Sequence, residues 1–181
     1  MTIEPDDKDW TWVLERPCPE CGFDATGVDV EAMPDLVRAN AAAWPPLLAA
    51  PDARLRPSDN RWSALEYGCH VRDVFALFDL RLRRMLDEDH PAFDNWNQDV
   101  TAAEQRYGEQ DPAVVGDELA AAAESCASGW ELVGDDDRQR RGDRSDGATF
   151  TVETFARYLM HDPTHHLVDV AKGNALLRSI S

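Results

Sequence analysis

Two histidines four residues apart, His161 and His165, are the side chains of this sequence best suited to bind a metal ion. The pattern around them otherwise predicts a helix, and positions i and i+4 of a helix share one face. A third histidine, His70, falls in a second predicted helix far upstream. The spacing therefore predicts a metal site of three histidines between helices, with one coordination position left open as in catalytic sites.

The chemistry of such a site follows from its ligands. Imidazole nitrogen suits zinc, nickel and ferrous iron alike, so the residue types do not select one divalent ion. An ion with an open position can acidify a bound water, polarise a carbonyl or hold a thiolate. Asp73 and Asp169 lie on helical flanks from which a carboxylate can orient His70 and His165. His166 points about 100° away from its neighbour and is predicted to orient a ligand or to lie at the surface.

Pro163 lies between the paired histidines and leaves alternatives open. A proline inside a helix removes a backbone hydrogen bond, so we expect a kink here if the histidines bind metal. Asp162-Pro163 can instead begin a helix, which would leave His161 outside it. The pair by itself is also typical of a solvated face or of packing residues that bind no metal.

A Cys-x-x-Cys-Gly motif at Cys18 and Cys21 is a second candidate site. It is half of a zinc-ribbon motif, and the other half is missing because Cys69 and Cys126 are isolated in predicted helices. One interpretation is a structural turn whose small thiols pack beneath nearby tryptophans. Metal binding or redox chemistry is an alternative. A third, which the spacing does not support, is that the N-terminal arm folds over the histidine site and supplies a thiol there.

Four stretches with helical periodicity must position these residues. The first covers about 31–50, where Pro45 and Pro46 are expected to kink or end the helix. The second opens on the capping-box sequence Ser-Ala-Leu-Glu at 63–66 and continues to about Leu86.

The third predicted helix begins at the N-cap Asp111, has a proline in its first turn, and stops near Gly134. Thr149 or Thr151 is expected to cap the fourth, and Gly173 to end it.

The connections complete the predicted architecture. Residues 89–110 are polar, with a short helix near 96–106, and residues 135–147 read as a charged loop without periodicity. No stretch has a convincing strand pattern. The sequence thus predicts an all-α protein, with an irregular N-terminal arm at 1–30 and a four-helix bundle at 31–181.

Composition limits the partners. Acidic residues outnumber basic ones 35 to 18, for a formal charge of −17, and such a surface repels nucleic acid and anionic membranes. No segment approaches the ~18–20 apolar residues of a membrane span, and no signal-peptide pattern begins the chain. We expect a cytoplasmic protein whose four cysteines are thiols, with a homodimer through apolar helix faces as an open alternative.

Three stretches together resemble the DinB-like (DinB/YfiT) superfamily of four-helix-bundle metal-dependent enzymes. They are Arg61-Trp62-Ser63-Ala64-Leu65-Glu66 leading into His70 and Asp73, the HxxxH of His161 and His165, and the surrounding His-Asp-x-x-His-His-Leu-Val-Asp-Val run. The resemblance covers about residues 31–175. It implies one divalent metal, zinc, nickel or iron, bound by His70 on the second helix and by His161 and His165 on the last.

The resemblance also implies a class of reaction. Some relatives are thiol-dependent S-transferases or isomerases, among them the N-terminal domain of mycothiol-dependent maleylpyruvate isomerase. A small-molecule substrate and a low-molecular-weight thiol, held as thiolate at the metal, are therefore expected, with transfer or hydrolysis as the reaction. The catalytic residues are not identified. The alternatives are a non-catalytic metal- or ligand-binding stress-response protein on the same bundle and a structural protein that binds no metal.

Overall fold

The computed structural model describes residues 8–180 of the chain. Its α-helices are α1 (Met33–Ala41), α2 (Trp44–Leu48), α3 (Ala64–Asp87), α4 (Gln98–Glu104), α5 (Pro112–Trp130) and α6 (Val152–Ile180). Three short strands, β1 (Ala92–Phe93), β2 (Arg141–Arg144) and β3 (Thr149–Thr151), form one small sheet. None of the helices in the described range is long and apolar enough to cross a membrane.

The core lies between four helices. Helices α3 and α1 each pack against both α5 and α6, so the order around the bundle is α1, α5, α3, α6. Large side chains from these helices and from α2 are fully buried between them, among them Trp44, Phe75, Leu82, Leu119 and Phe155. Burying one such side chain contributes about 1.5–3 kcal/mol. The predicted four-helix bundle with an irregular N-terminal arm is confirmed.

Local capping signals fix the starts of the long helices, as predicted. The Ser63 side chain accepts a hydrogen bond from the Glu66 amide, and the Glu66 carboxylate accepts one from the Ser63 amide at 2.9 Å. Asp111 caps α5 through two backbone amides. Thr151 accepts from the Thr154 amide at 3.1 Å at the start of α6. These caps satisfy amide groups that the first helical turn leaves without partners.

The prolines affect the two predicted helices differently. Pro45 and Pro46 lie in the first turn of α2, and the break predicted there is confirmed because α1 has already ended at Ala41. Pro163 lies inside α6, which continues on both sides of it. His161 is therefore within the helix, and the alternative of a helix beginning at Asp162-Pro163 is wrong.

The predicted stop at Gly173 is also wrong, since α6 continues to Ile180. A Cβ atom at this glycine would lie 3.0 Å from Cγ of Pro57. The glycine therefore permits close approach of the loop between α2 and α3 to this helix, and it does not end the helix.

The small sheet corrects the prediction of a chain without strands. β1 pairs in parallel with β2, and β2 pairs antiparallel with β3. Strands of two to four residues are too short for a visible alternation of apolar and polar residues. Gly142 in β2 further hides the pattern, and it is required because a Cβ there would lie 2.5 Å from Cζ of Phe93.

The N-terminal arm packs onto the last helix. Its described part, from residue 8, contains 3-10 turns at Thr11–Leu14 and Ala25–Gly27, and both contact α6. The first seven residues of the predicted arm lie outside the described range. The four cysteines are thiols, as predicted. The arm thus brings the Cys-x-x-Cys motif against the helix that carries the paired histidines.

Candidate metal centre

Potential metal ligands of the described residues converge in two adjacent clusters, and within each the ligand atoms lie within 4.8 Å of one another. The His/Asp cluster consists of His70, Asp162 and His166. The Cys/His cluster consists of Cys18, Cys21, His161 and His165. The three histidines predicted to share one ion are thus divided, with His70 in the first cluster and the i, i+4 pair in the second.

Two overlapping i, i+4 pairs on α6 produce this division. His161 and His165 turn toward the N-terminal arm. The ring centroid of Trp10 in that arm lies 5.3 Å from the centroid of each imidazole. Asp162 and His166 are each one residue further along the helix, a rotation of about 100°. That rotation turns them toward His70 on α3.

The His/Asp cluster is centred on a carboxylate oxygen. Oδ1 of Asp162 lies 3.2 Å from Nε2 of His70 and 3.6 Å from Nε2 of His166. His70 is fully buried and stacks on Trp96, with ring centroids 5.3 Å apart. Two imidazoles and one carboxylate are a donor set that binds zinc or iron with coordination positions left open. The residues present therefore fit a divalent metal.

Electrostatics keeps the Asp162 carboxylate ionised. Burial opposes ionisation, but the neighbouring His70 and His166 outweigh it and hold the pKa of Asp162 well below its ordinary value. An ionised carboxylate is the form that coordinates a metal.

The Cys/His cluster joins the arm to α6. Sγ of Cys18 lies 3.7 Å from Nδ1 of His165, a contact between residues 147 positions apart. Cys18, His161 and His165 are buried, and Cys21 is half-buried. Burial, and then the charge of His165, lower the pKa of His161 to about 4. Burial likewise lowers the pKa of His165, so both imidazoles favour the neutral form that binds metals.

Asp169 connects the two clusters. Its Oδ2 lies 3.2 Å from Nδ1 of His166 and 3.5 Å from Nε2 of His165. One carboxylate therefore contacts the outward nitrogens of two candidate ligands, which is how an outer carboxylate fixes the tautomer and orientation of a metal-binding histidine. The similar role predicted for Asp73 is wrong, because Asp73 instead accepts hydrogen bonds from Arg72 and Tyr107.

A cavity of about 930 Å³ opens beside both clusters. Aromatic side chains line it next to the His/Asp cluster, and residues of the N-terminal arm and the loop before α4 complete its walls. Among these aromatic residues are Trp62, Tyr67, Trp96 and Tyr158. Charged and polar side chains contribute at least as much of its wall as these rings do. A concave site where polar groups converge is a usual place for a small molecule to bind.

Sequence reasoning missed Asp162 as a candidate ligand and assigned His166 an outer position. The signal was present, because Asp162 and His166 have the same i, i+4 spacing as the paired histidines. A carboxylate at i with a histidine at i+4 is as capable a metal-binding pair as two histidines.

Comparison with known proteins agrees with this fold. The family model of the DinB superfamily matches residues 34–169. The structure of YfiT from Bacillus subtilis, described as a probable metal-dependent hydrolase with an unusual four-helix bundle topology, superposes with a TM-score of 0.66 at 15% sequence identity. The alignment covers 99% of this chain and 94% of that one. No curated protein matches the chain significantly. Because the family model spans most of the sequence and the bundle agrees with it, this chain belongs to the DinB superfamily.

Proposed function

We propose that this chain is a metal-dependent enzyme whose catalytic ion is held by His70, Asp162 and His166. The supporting observation is the convergence of these three ligand atoms within 4.8 Å beside the cavity. The description of YfiT as a probable metal-dependent hydrolase is consistent with this proposal. The set predicted from the sequence, His70 with His161 and His165, stays a prediction, and the two sets make opposite predictions for Asp162.

The proposed chemistry is nucleophilic attack on a small electrophilic substrate. When bound, a divalent ion would acidify a coordinated water or thiol and polarise a substrate carbonyl. Asp169 holds His166 in one orientation, and Trp96 holds the ring of His70 by stacking.

The cavity has room for two small molecules. Cavities for small ligands span about 300–1,000 Å³, and this one lies near the upper end at about 930 Å³. A low-molecular-weight thiol could thus lie beside a small electrophile. We therefore propose thiol S-transfer as the specific reaction, with hydrolysis by activated water as the second candidate.

A buried guanidinium indicates an anionic substrate. Arg81 lines the cavity and is only 6% exposed. It donates to the backbone oxygen of Asp94 at 2.7 Å rather than to a carboxylate. Burial, and then the charge of Arg144, lower the pKa of Arg81 to about 10, so it stays protonated at neutral pH. The guanidinium also lies over the rings of Phe78 and Phe93, and a substrate carboxylate would add an anionic partner to these contacts.

Arg81→Gln is expected to weaken binding of a small dicarboxylate such as fumarate by roughly tenfold, because one charge-assisted hydrogen bond is lost. Quenching of tryptophan fluorescence measures this affinity, since Trp62 and Trp96 line the same cavity. Arg84→Gln is the matched control, because Arg84 is on the same helix but pairs with Glu88 at the surface. Equal binding by both variants would exclude Arg81 as the anion-binding group.

The proposed function is tested with the full chain, stripped of metal and then reconstituted with zinc, nickel or ferrous iron. Small thiols paired with electrophiles, and separately small esters and amides, are the substrates to screen. Turnover is expected only with metal, and it should be lost in His166→Ala. His90→Ala is the matched control, because His90 is at the surface and pairs with Asp143. Metal bound at the His/Asp cluster without turnover in either screen would favour the non-catalytic binding protein.

A further inference from the structure

The Cys/His cluster has the dimensions of a tetrahedral metal site. Zinc bonds to sulfur at about 2.3 Å and to imidazole nitrogen at about 2.0–2.1 Å, which places the ligand atoms of a tetrahedron about 3.3–3.8 Å apart. Sγ of Cys18 and Nδ1 of His165 are 3.7 Å apart, and the four ligand atoms lie within 4.8 Å of one another.

The turn that carries the two cysteines is shaped to direct both thiols to one side. The Gly22 amide donates to the Cys18 carbonyl at 2.8 Å, and the Cys18 amide donates to the Phe23 carbonyl at 2.8 Å. Gly22 has φ +76°, a conformation that glycine adopts readily. The Cys-x-x-Cys-Gly half-motif therefore forms a compact knuckle, and the missing second pair of ligands is supplied by α6.

Most of the Cys/His cluster is buried, although His161 and His165 also border the cavity and Cys21 is half-buried. Cys18 is only 1% exposed, and the rings of Trp10 and Phe23 cover the imidazole of His161 at 5.3 and 5.7 Å between centroids. Nε2 of His161 is buried and has no hydrogen-bond partner in the structure. Burying a polar atom without a partner is energetically costly. The position of this atom beside two thiols therefore indicates that the cluster binds a metal ion.

Four protein ligands leave no position for a substrate. Structural zinc sites have such closed Cys₂His₂ sets, whereas catalytic sites keep one position open. The His/Asp cluster has three ligands and lies beside the cavity, so it resembles a catalytic site. The two adjacent clusters thus differ in donor type and in the number of ligands, as a structural and a catalytic site do.

We propose that Cys18, Cys21, His161 and His165 bind a structural zinc ion that fastens the N-terminal arm to α6. Binding converts the two thiols to thiolates and releases their protons, with no change of oxidation state. The arm contributes Trp10, Thr11 and Glu20 to the cavity wall, so this ion would also fix one side of the proposed active site. The proposal does not depend on the catalytic role of the other cluster.

Cobalt substitution of the full chain tests the site, because cobalt–thiolate bonds absorb in the near ultraviolet by charge transfer while imidazole and carboxylate ligands do not. Wild-type protein is expected to bind about two equivalents of cobalt or zinc, one of them with the thiolate band. Cys18→Ser/Cys21→Ser should lose that band and one equivalent. His70→Ala should lose the other equivalent and keep the band. Cys126→Ala, which removes a thiol outside the cluster, should keep both.

The outcomes separate the two proposed sites. Cobalt bound without a thiolate band, and lost in His70→Ala, would overturn the structural site and leave the catalytic proposal intact. A thiolate band with only one equivalent of bound cobalt would support the structural site and overturn the catalytic one. If the double cysteine variant does not fold, X-ray absorption of zinc-loaded wild-type protein decides instead, since sulfur neighbours near 2.3 Å are expected only from the Cys/His cluster. A shell of nitrogen and oxygen alone would overturn the proposal.

Discussion

Asp162→Ala is expected to weaken zinc binding at the His/Asp cluster by more than the roughly 10–100-fold that loss of an outer-shell partner causes, because it removes a direct ligand. The Asp162 carboxylate oxygen lies between the Nε2 atoms of His70 and His166. Without it the cluster loses its anionic ligand. Competition with a chromophoric chelator measures the affinity, and the Cys18→Ser/Cys21→Ser background keeps the second cluster from contributing.

The same measurement distinguishes the two candidate ligand sets. In that background, His161→Ala is expected to change zinc affinity by less than about threefold, since one residue of offset turns this side chain away from His70. A large loss in His161→Ala together with no loss in Asp162→Ala would contradict the His/Asp set and support the three histidines predicted from the sequence. The fold of each variant is checked by its thermal unfolding, with His90→Ala as the surface control.

The starts of the long helices could be predicted because their signals are local. A capping box needs only Ser63 and Glu66, and an N-cap followed by proline needs only Asp111 and Pro112. The end of α6 could not be predicted, because Gly173 has a tertiary role in its approach to Pro57. Tertiary packing can thus continue a helix past a residue that locally favours its end.

Which residues share a metal ion could not be predicted, because it depends on how α6 is rotated about its own axis. His161 with His165 and Asp162 with His166 are equally spaced pairs, and either can face a ligand on a neighbouring helix. Which pair faces His70 is decided by how the apolar face of α6 packs against α3. A helix rotated by about 100° about its axis would exchange the two pairs.

The Cys/His cluster could not be predicted either, because it forms only where the N-terminal arm packs against α6. Cys18 and His165 are 147 positions apart, and no local pattern connects them. A half zinc-ribbon motif gives the turn and two ligands, but the other two ligands can come from any part of the chain that packs nearby. The paired histidines on α6 were visible in the sequence, yet only the packed arm shows that they face the cysteines.

Asp169→Asn is expected to weaken zinc binding at both clusters, by about 10–100-fold at each, because one carboxylate contacts the outward nitrogens of His165 and His166. Burial opposes ionisation of Asp169, but the hydrogen bond with His166 and the charges of both histidines hold its pKa below the ordinary value. The amide keeps the size of the side chain and removes its charge. Cobalt titration followed at the thiolate band measures the Cys/His cluster, and chelator competition in the double cysteine background measures the other.

A matched control exists at the surface, where Asp143 pairs with His90 at 3.0 Å outside both clusters. Asp143→Asn should leave both affinities unchanged. Weaker binding at only one cluster in Asp169→Asn would mean that the carboxylate serves that cluster alone. Weaker binding at both would mean that the two ions share an outer ligand, so loading of the structural site would influence the orientation of His166 at the catalytic one. The arm would then be coupled to the proposed active site through a single side chain as well as through the cavity wall.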